Sequence, residues 1–316
     1  MNFLYDALGL VFGPIMSAIY SVVNNYGVAI VLFTIFCRLL MLPSAVSQQK
    51  SQAKNQRIQY KMRKITEKYK DDRQRLAQEQ QEFYKREGYN PMSAGCSGGM
   101  MLQFPIIFGL ISAIYRPLQY TVKVPADIIK ALADKAAEIL DNATLTANNL
   151  QIQLRIAENV EKFKHLFGPD ELDTAQYDRI FSFAANFKFM GLQLGLTPKE
   201  GGGIYYLIPI LAGVTSMATS VYTFLRQRKT NPEQKQNFVM MALMSLGMPI
   251  FSAVLSLSFP VGIGIYWIVS SVAALVQLVV LSYTHPPQKM LARSMVDETI
   301  ERRSRENSRK RLAELN

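Results

Sequence analysis

One arginine stands where an arginine is expensive. In "YGVAIVLFTIFCRLLMLP", residues 26–43, Arg38 interrupts an otherwise apolar run. A cation at a helix centre in hydrocarbon costs about 2.5–3.5 kcal/mol even on the mildest scale. Its chemistry is therefore electrostatic. Either the long stem lifts the guanidinium to the headgroups, or the charge sits in a wet recess and awaits an anion. Thr34, one turn earlier on the same face, extends the polar stripe. Other apolar runs offer Gln103, Ser216, Ser220, Tyr266, Ser270 and Gln277, with Trp267 beside Tyr266. Each alone reads as a helix-packing hydrogen bond; together they can line a half-open polar groove. No Asp or Glu occurs in any of these runs, so Arg38 has no carboxylate partner within them.

Bond-making chemistry is not indicated. No P-loop and no catalytic-triad signature occurs, so an enzyme is not expected and no cofactor is called for. Cys37 and Cys96 are the only cysteines, and neither lies in a segment expected outside the cell, so no disulfide framework follows. His165 and His285 are far apart in sequence, and no metal site is expected.

The elements that must position Arg38 are apolar helices. Runs near 26–43, 99–117, 204–225, 238–259 and 261–283 each approach the roughly 20 residues that cross about 30 Å of hydrocarbon. Five spans of an integral membrane protein follow. Charge then sets orientation. Segment 44–98 carries 12 Lys/Arg against 6 Asp/Glu, 226–237 carries 4 against 1, and 285–316 carries 8 against 5. Segment 118–203 carries 9 against 11. Loops rich in Lys/Arg stay inside, which predicts an N-out, C-in topology. Most of the net charge of +11 then faces the cytoplasm, where it suits anionic lipid or ribosomal phosphate.

Five regions result. Residues 1–24 carry polar or small residues every three or four positions, Asn2, Asp6, Gly9, Gly13, Ser17 and Ser21 among them. They read as an amphipathic helix lying in the headgroup layer. Residues 25–117 hold the first two spans around a charged helical hairpin at 44–98, with its turn at "KYKDDRQR" and an apolar seam of Ile58, Met62, Ile65 and Tyr69. Residues 118–202 form a small external segment with helical patterns at about 125–141, 146–167 and 171–190, no strand alternation, and "TPKEGGG" as a flexible exit. Residues 203–284 hold the last three spans, and 285–316 are a basic, solvated arm.

Five stretches in order, "YGVAIVLFTIFCRLLMLP", "FYKREGYNPMSAGC", "LQFPIIFGL", "YYLIPILAGVT" and "FPVGIGIYWIVSS", resemble the successive signatures of the YidC membrane protein insertases. The resemblance covers about residues 3–284, most of 118–190 excepted. It implies an all-α integral membrane fold: a five-helix insertase core with an N-terminal amphipathic helix, a cytoplasmic helical hairpin and, here, a small external helical insertion. It implies a bacterial cell-membrane protein whose hydrophilic groove centres on Arg38, with Thr34, Trp267 and, on a looser alignment, Ser220 as groove positions. Gln103 and Tyr266 join that substrate-binding set from the residue reading. The large β-rich periplasmic domain of Gram-negative members and the lipobox cysteine of many Gram-positive members are not expected, and the external segment exceeds the family's usual connection.

The activity implied is that of an insertase and chaperone. Hydrophobic segments of nascent membrane proteins would pass from the cytoplasm into the bilayer, with the ribosome, a targeting receptor and the protein translocon as further partners and no DNA. Two alternatives stand beside it. An anion-binding transporter or channel would move ions without affecting insertion; a scaffold for membrane complexes would leave insertion intact and assembly faulty.

Overall fold

The computed structural model describes residues 2–89, 98–140, 151–167, 174–230 and 238–314. The chain forms two compact units, one of Met1–Leu40 with Gln103–Leu275 and one of Met41–Leu102 with Val276–Asn316. The fold is all-α and of the integral-membrane type. Among the described residues, two helices are long and apolar enough to cross a membrane by themselves, Gly203–Arg226 and Val261–Thr284.

In the first unit, α1 (Asn2–Val23) and α2 (Tyr26–Leu40) are joined by a tight turn with Asn24 at φ 53°. Asn25 starts α2 by accepting the Val28 N–H on its side-chain oxygen at 3.0 Å, the usual N-cap arrangement. Two small residues of the α1 stripe, Gly9 and Gly13, face the protein, while Ser21 is exposed. Gly9 and Gly13 lie against the ring of Tyr120, so that a Cβ at Gly9 would come within 2.3 Å of it. Leu10 and Val11 point outward instead, 70% and 59% exposed. Lipid inverts the rule for water: apolar side chains gain nothing by turning inward, while small residues let helices approach. Gly109 on α5 (Gly98–Tyr115) admits the Phe12 ring in the same way.

Segment 118–202 folds onto this unit. A short π-helical turn (Leu118–Val122) leads to α6 (Ala126–Ile139), whose Ile128, Ile129, Leu132, Ala133 and Ala136 are buried along one face. Next come α7 (Ile152–Glu158), a 3-10 turn (Val160–Leu166) and α8 (Thr174–Ala185). A ribbon not expected from the sequence follows, β1 (Lys188–Phe189) paired antiparallel with β2 (Leu192–Gln193). Two residues per strand are too few for period-two alternation to register. The stretch 197–203, expected to be flexible, is a built turn. Thr197 and Glu200 cap each other reciprocally around Pro198–Gly201, and Gly202 and Gly203 take positive φ (61° and 44°), where glycine alone is at ease.

Helices α9 (Leu207–Thr230) and α10 (Phe238–Ser256) pack tightly together. Gly213 opposite Ala253 permits the approach, and Ile210, Leu243, Phe251 and Val254 stand exposed on their outer faces. Exposed apolar surface of this kind suits lipid. The unit closes with the first part of α11 (Val261–Thr284).

In the second unit, α3 (Leu42–Lys68) and α4 (Arg73–Arg86) enclose a turn where Asp72 caps α4 by accepting the Arg75 N–H. Ile58 and Phe83 are buried, and Lys61 pairs with Glu87 at 2.9 Å. The tail is not a free arm. It is one helix, α12 (Pro287–Glu314), lying beside α3, and Gln49 of α3 donates to the carbonyls of Leu281 and His285.

A partly buried charge cluster joins α7 to the turn that precedes α9, both within segment 118–202. Arg155 pairs with Glu158 at 3.4 Å and with Glu200. Gly195 lies so close that a Cβ there would meet the Glu158 Oε1 at 2.4 Å. Burial pushes the Glu158 carboxyl from its ordinary 4.5 up to about 7; Arg155 pulls it down and Glu200 pushes it further up. The folded state therefore holds this proton more tightly than the unfolded chain does. The stabilisation is complete below about 4.5 and is lost as pH rises through about 7. Glu200 is also raised by burial, but hydrogen bonds from Arg155 and Thr197 outweigh this and hold it below its ordinary value, so its loss of stabilisation falls at more acid pH. The detergent-solubilised protein is thus expected to melt at lower temperature as pH rises between 4.5 and 7. Glu158→Gln should flatten that dependence, and an identical slope in the variant's melting curves would show that another group carries it.

Candidate functional site

One polar contact joins α2 to α11. The Arg38 guanidinium donates through Nη2 to Ser270 Oγ, and Tyr266 lies one turn before Ser270 on α11. Tyr266 is 5% and Ser270 6% exposed, whereas Arg38 is half-buried. The guanidinium is drawn against a neighbouring helix rather than extended along its own. Among the described residues Arg38 makes no ion pair with a carboxylate. Among those residues the planar fork of five donors meets one neutral oxygen.

The other expected groove residues are placed less simply. Thr34 is buried, but its hydroxyl donates to the Ile30 carbonyl of its own helix at 2.7 Å, a back-bond common for threonine inside helices. Trp267 is half-buried and packs edge-on against Phe259, 5.5 Å between centroids. Ser220 lies on α9, half-buried. The Gln103 side chain lies outside the described residues, as does the whole of 90–97 with its "PMSAGC". Ser216 bonds Ser271 at 3.0 Å, and Thr219 donates to the Ser271 carbonyl at 3.2 Å; these polar groups knit α9 to α11. A cavity of about 340 Å³ lies elsewhere, in segment 118–202, lined by residues that include Phe181, Phe187, Lys162 and Glu161.

Ser270 was one polar residue among several in the sequence, and it is the one that holds the arginine. Its i, i+4 relation to Tyr266 marks a polar stripe on one face of the helix, but Ser216 and Ser220 have the same spacing, so spacing alone did not single it out.

The comparisons with known proteins agree with the all-α membrane fold. Residues 18–288 match the family model described as 60Kd inner membrane protein. Curated relatives named "Membrane protein insertase YidC" include one from Syntrophus aciditrophicus, 40% identical over 106 residues, covering 34% of this chain and 18% of that protein. Another from Allorhizobium ampelinum is 28% identical over 273 residues, covering 86% of this chain and 34% of that protein. A third, from Geobacter metallireducens, is 25% identical over 258 residues, 82% and 33% respectively. The chain thus matches about a third or less of the length of these relatives. It belongs to the 60Kd inner membrane protein family, whose curated members here carry the name YidC, and it is a multi-pass membrane protein.

A double-mutant cycle tests the tether. A hydrogen bond to a charged group contributes about 1.5–3 kcal/mol, so Ser270→Ala should cost about 1–2 kcal/mol of thermal stability in detergent after discounting for the half-buried guanidinium. In an Arg38→Ala background the same change should cost under about 0.5 kcal/mol. Additive costs in the two backgrounds would mean that Ser270 does not hold Arg38.

Proposed function

We propose that this protein is a membrane protein insertase and chaperone that receives hydrophobic segments of nascent proteins from the cytoplasm and passes them into the bilayer. What carries the reading is a guanidinium held at a helix interface by a serine, with no carboxylate partner among the described residues. The names of its relatives support the same activity.

The mechanism is physical rather than covalent. A segment entering lipid must shed water from its backbone and from any charge that has to cross. Arg38, centring a hydrophilic groove with Ser270 and Tyr266 and flanked by Thr34, Ser220, Gln103 and Trp267, gives an acidic residue of the incoming segment a temporary partner part-way across. A positive-outside potential then draws negative charge outward at about 2.3 kcal/mol per charge per 100 mV. The apolar part slides sideways into lipid, driven by about 25 cal/mol for each Å² removed from water. Five spans with N-out, C-in topology put the α3–α4 hairpin and α12 in the cytoplasm. There they would meet the ribosome, a targeting receptor or a translocon.

Loss of one charged hydrogen bond at about 1.5–3 kcal/mol corresponds to roughly tenfold or more in rate. Arg38→Ala should therefore slow insertion of clients with acidic residues in the translocated part by about tenfold, while Arg38→Lys retains most activity and clients without such residues are little affected. Reconstituted insertion assays on matched clients would decide; equal tolerance of both changes would remove the electrostatic role. Ion flux across proteoliposomes with insertion unimpaired in depleted cells would favour a transporter instead. A separate expectation concerns α12: removing residues 301–316 should weaken co-sedimentation with ribosomes and leave membrane integration intact. Undiminished co-sedimentation would mean that the tail's charge serves topology alone.

A further inference from the structure

The cavity of about 340 Å³ in segment 118–202 has no part in the proposed insertion step. The 3-10 turn after α7 gives it Val160, Glu161 and Lys162, α8 gives Phe181, and the chain entering β1 gives Phe187 and Lys188. Val160 and Phe187 are buried at its base, while Glu161, Lys162, Phe181 and Lys188 are exposed at its mouth. An apolar base thus lies under a mouth with two cations and one anion. Among the described residues, Glu161, Lys162 and Lys188 make no ion pair.

Neighbouring contacts fix the level of this cleft. The Tyr26 N–H donates to the Asn186 carbonyl at 3.3 Å, and the Asn25 side-chain amide donates to the Lys188 carbonyl at 3.1 Å. The Phe187 ring lies 5.3 Å from that of Tyr26, and Phe189 sits against Gly27. One wall of the cleft is therefore bonded to the first residues of α2. Just past β2, the carbonyls of Leu194 and Leu196 accept from the Gly262 and Val261 N–H groups, both at 2.9 Å. These begin α11, a helix long and apolar enough to cross a membrane. Apolar helices begin where hydrocarbon meets headgroups, a layer roughly 5–8 Å thick on each side. The cleft lies at that layer. Met190, at the ribbon's turn next to Phe189, is 87% exposed there, and an apolar side chain at this level suits lipid rather than water.

We propose that this cleft binds one phospholipid of the adjoining leaflet, its headgroup bearing a primary amine. The phosphate meets Lys162 and Lys188, the amine meets Glu161, and the first carbons of an acyl chain lie on Phe181, Phe187 and Val160. Charge complementarity selects this occupant: two ammonium groups match a phosphate, and the carboxylate beside them matches a cation carried on the same molecule. Size agrees, since small-molecule sites run from about 300 to 1,000 Å³ and this one admits a headgroup rather than a folded partner. The proposal goes beyond the insertase reading and does not depend on it; it needs only that α2 and α11 enter the membrane at these ends.

Native mass spectrometry of the purified full chain in detergent reads bound lipid directly. The chain is titrated in turn with phosphatidylethanolamine, phosphatidylglycerol and phosphatidylcholine. Phosphatidylethanolamine should be retained most tightly, because phosphatidylglycerol lacks the amine and the quaternary nitrogen of phosphatidylcholine has no hydrogen to donate. Lys162→Ala combined with Lys188→Ala should weaken that retention roughly ten- to thirtyfold. Glu161→Lys should turn the preference toward phosphatidylglycerol, a gain that a misfolded chain would not show. Equal retention of the three lipids by the native chain, a native preference for phosphatidylglycerol, or retention unchanged in both variants would each overturn the proposal. A second measurement stands apart from the lysine variants. A fluorophore on Met190→Cys, in a chain with Cys96→Ser and with Cys37 left buried, should be quenched in vesicles by lipid carrying a nitroxide at its headgroup. Absence of quenching would place the ribbon clear of the bilayer and overturn the proposal even if those variants do not fold.

Discussion

A guanidinium with no carboxylate partner among the described residues sets the terms for this structure. Among those residues one neutral hydroxyl takes one of its five donors, and the cost of a cation in an apolar helix is of the order of a few kcal/mol. A buried arginine paired with a carboxylate would be a structural feature, costly to break and of little use to a third party. An arginine held by a serine is directed but still available. Ser270 fixes where the charge is without satisfying it, which a binding site for a transient anion requires.

Directing the charge demands that α2 and α11 keep their register. A slip of one residue on α11 turns Ser270 about 100° away from Arg38, and lipid supplies no hydrophobic drive to hold the register. The work falls to small residues and short polar contacts. Gly262 lets Ile30, Ile114 and the Leu194 carbonyl close in around it. The Ser216–Ser271 bond and the Thr219 bond to the Ser271 carbonyl tie α9 to α11 one residue from Ser270. Polar residues that looked like groove lining thus divide into two kinds, those that present the charge and those that hold the presenting helix still.

That division explains what could be read beforehand. Arg38 was conspicuous because a charge in an apolar run violates a strong rule. The helices were conspicuous through length and apolar content, and the turn before Arg73 through its charged stretch "KYKDDRQR". Ser270 could not be ranked above Ser216 or Ser220 because rank depends on which helix lies opposite, a tertiary fact. The inward face of α1 was misassigned for a related reason. Amphipathic patterning presumes water on the polar side, and Gly9 and Gly13 look polar only by default; here they are space for Tyr120. The ribbon at 188–193 was invisible because its strands are shorter than the period that would reveal them, and the α12 helix because its contact with α3 needs few apolar residues.

The same physics bears on how the N-terminal ends of α2 and α11 are built. Carbonyls of Asn186, Leu194 and Leu196 are spent on helix N-termini that solvent would have satisfied at no cost in ordered chain. Ordering the segment's backbone costs about 1–2 kcal/mol per residue in lost conformational freedom, repaid by its own apolar interior of Leu132, Leu154, Ile156 and Phe163. Phe183 and Phe187 extend that packing onto Tyr26, and Phe189 onto Gly27, so the start of α2 and the segment share one continuous core.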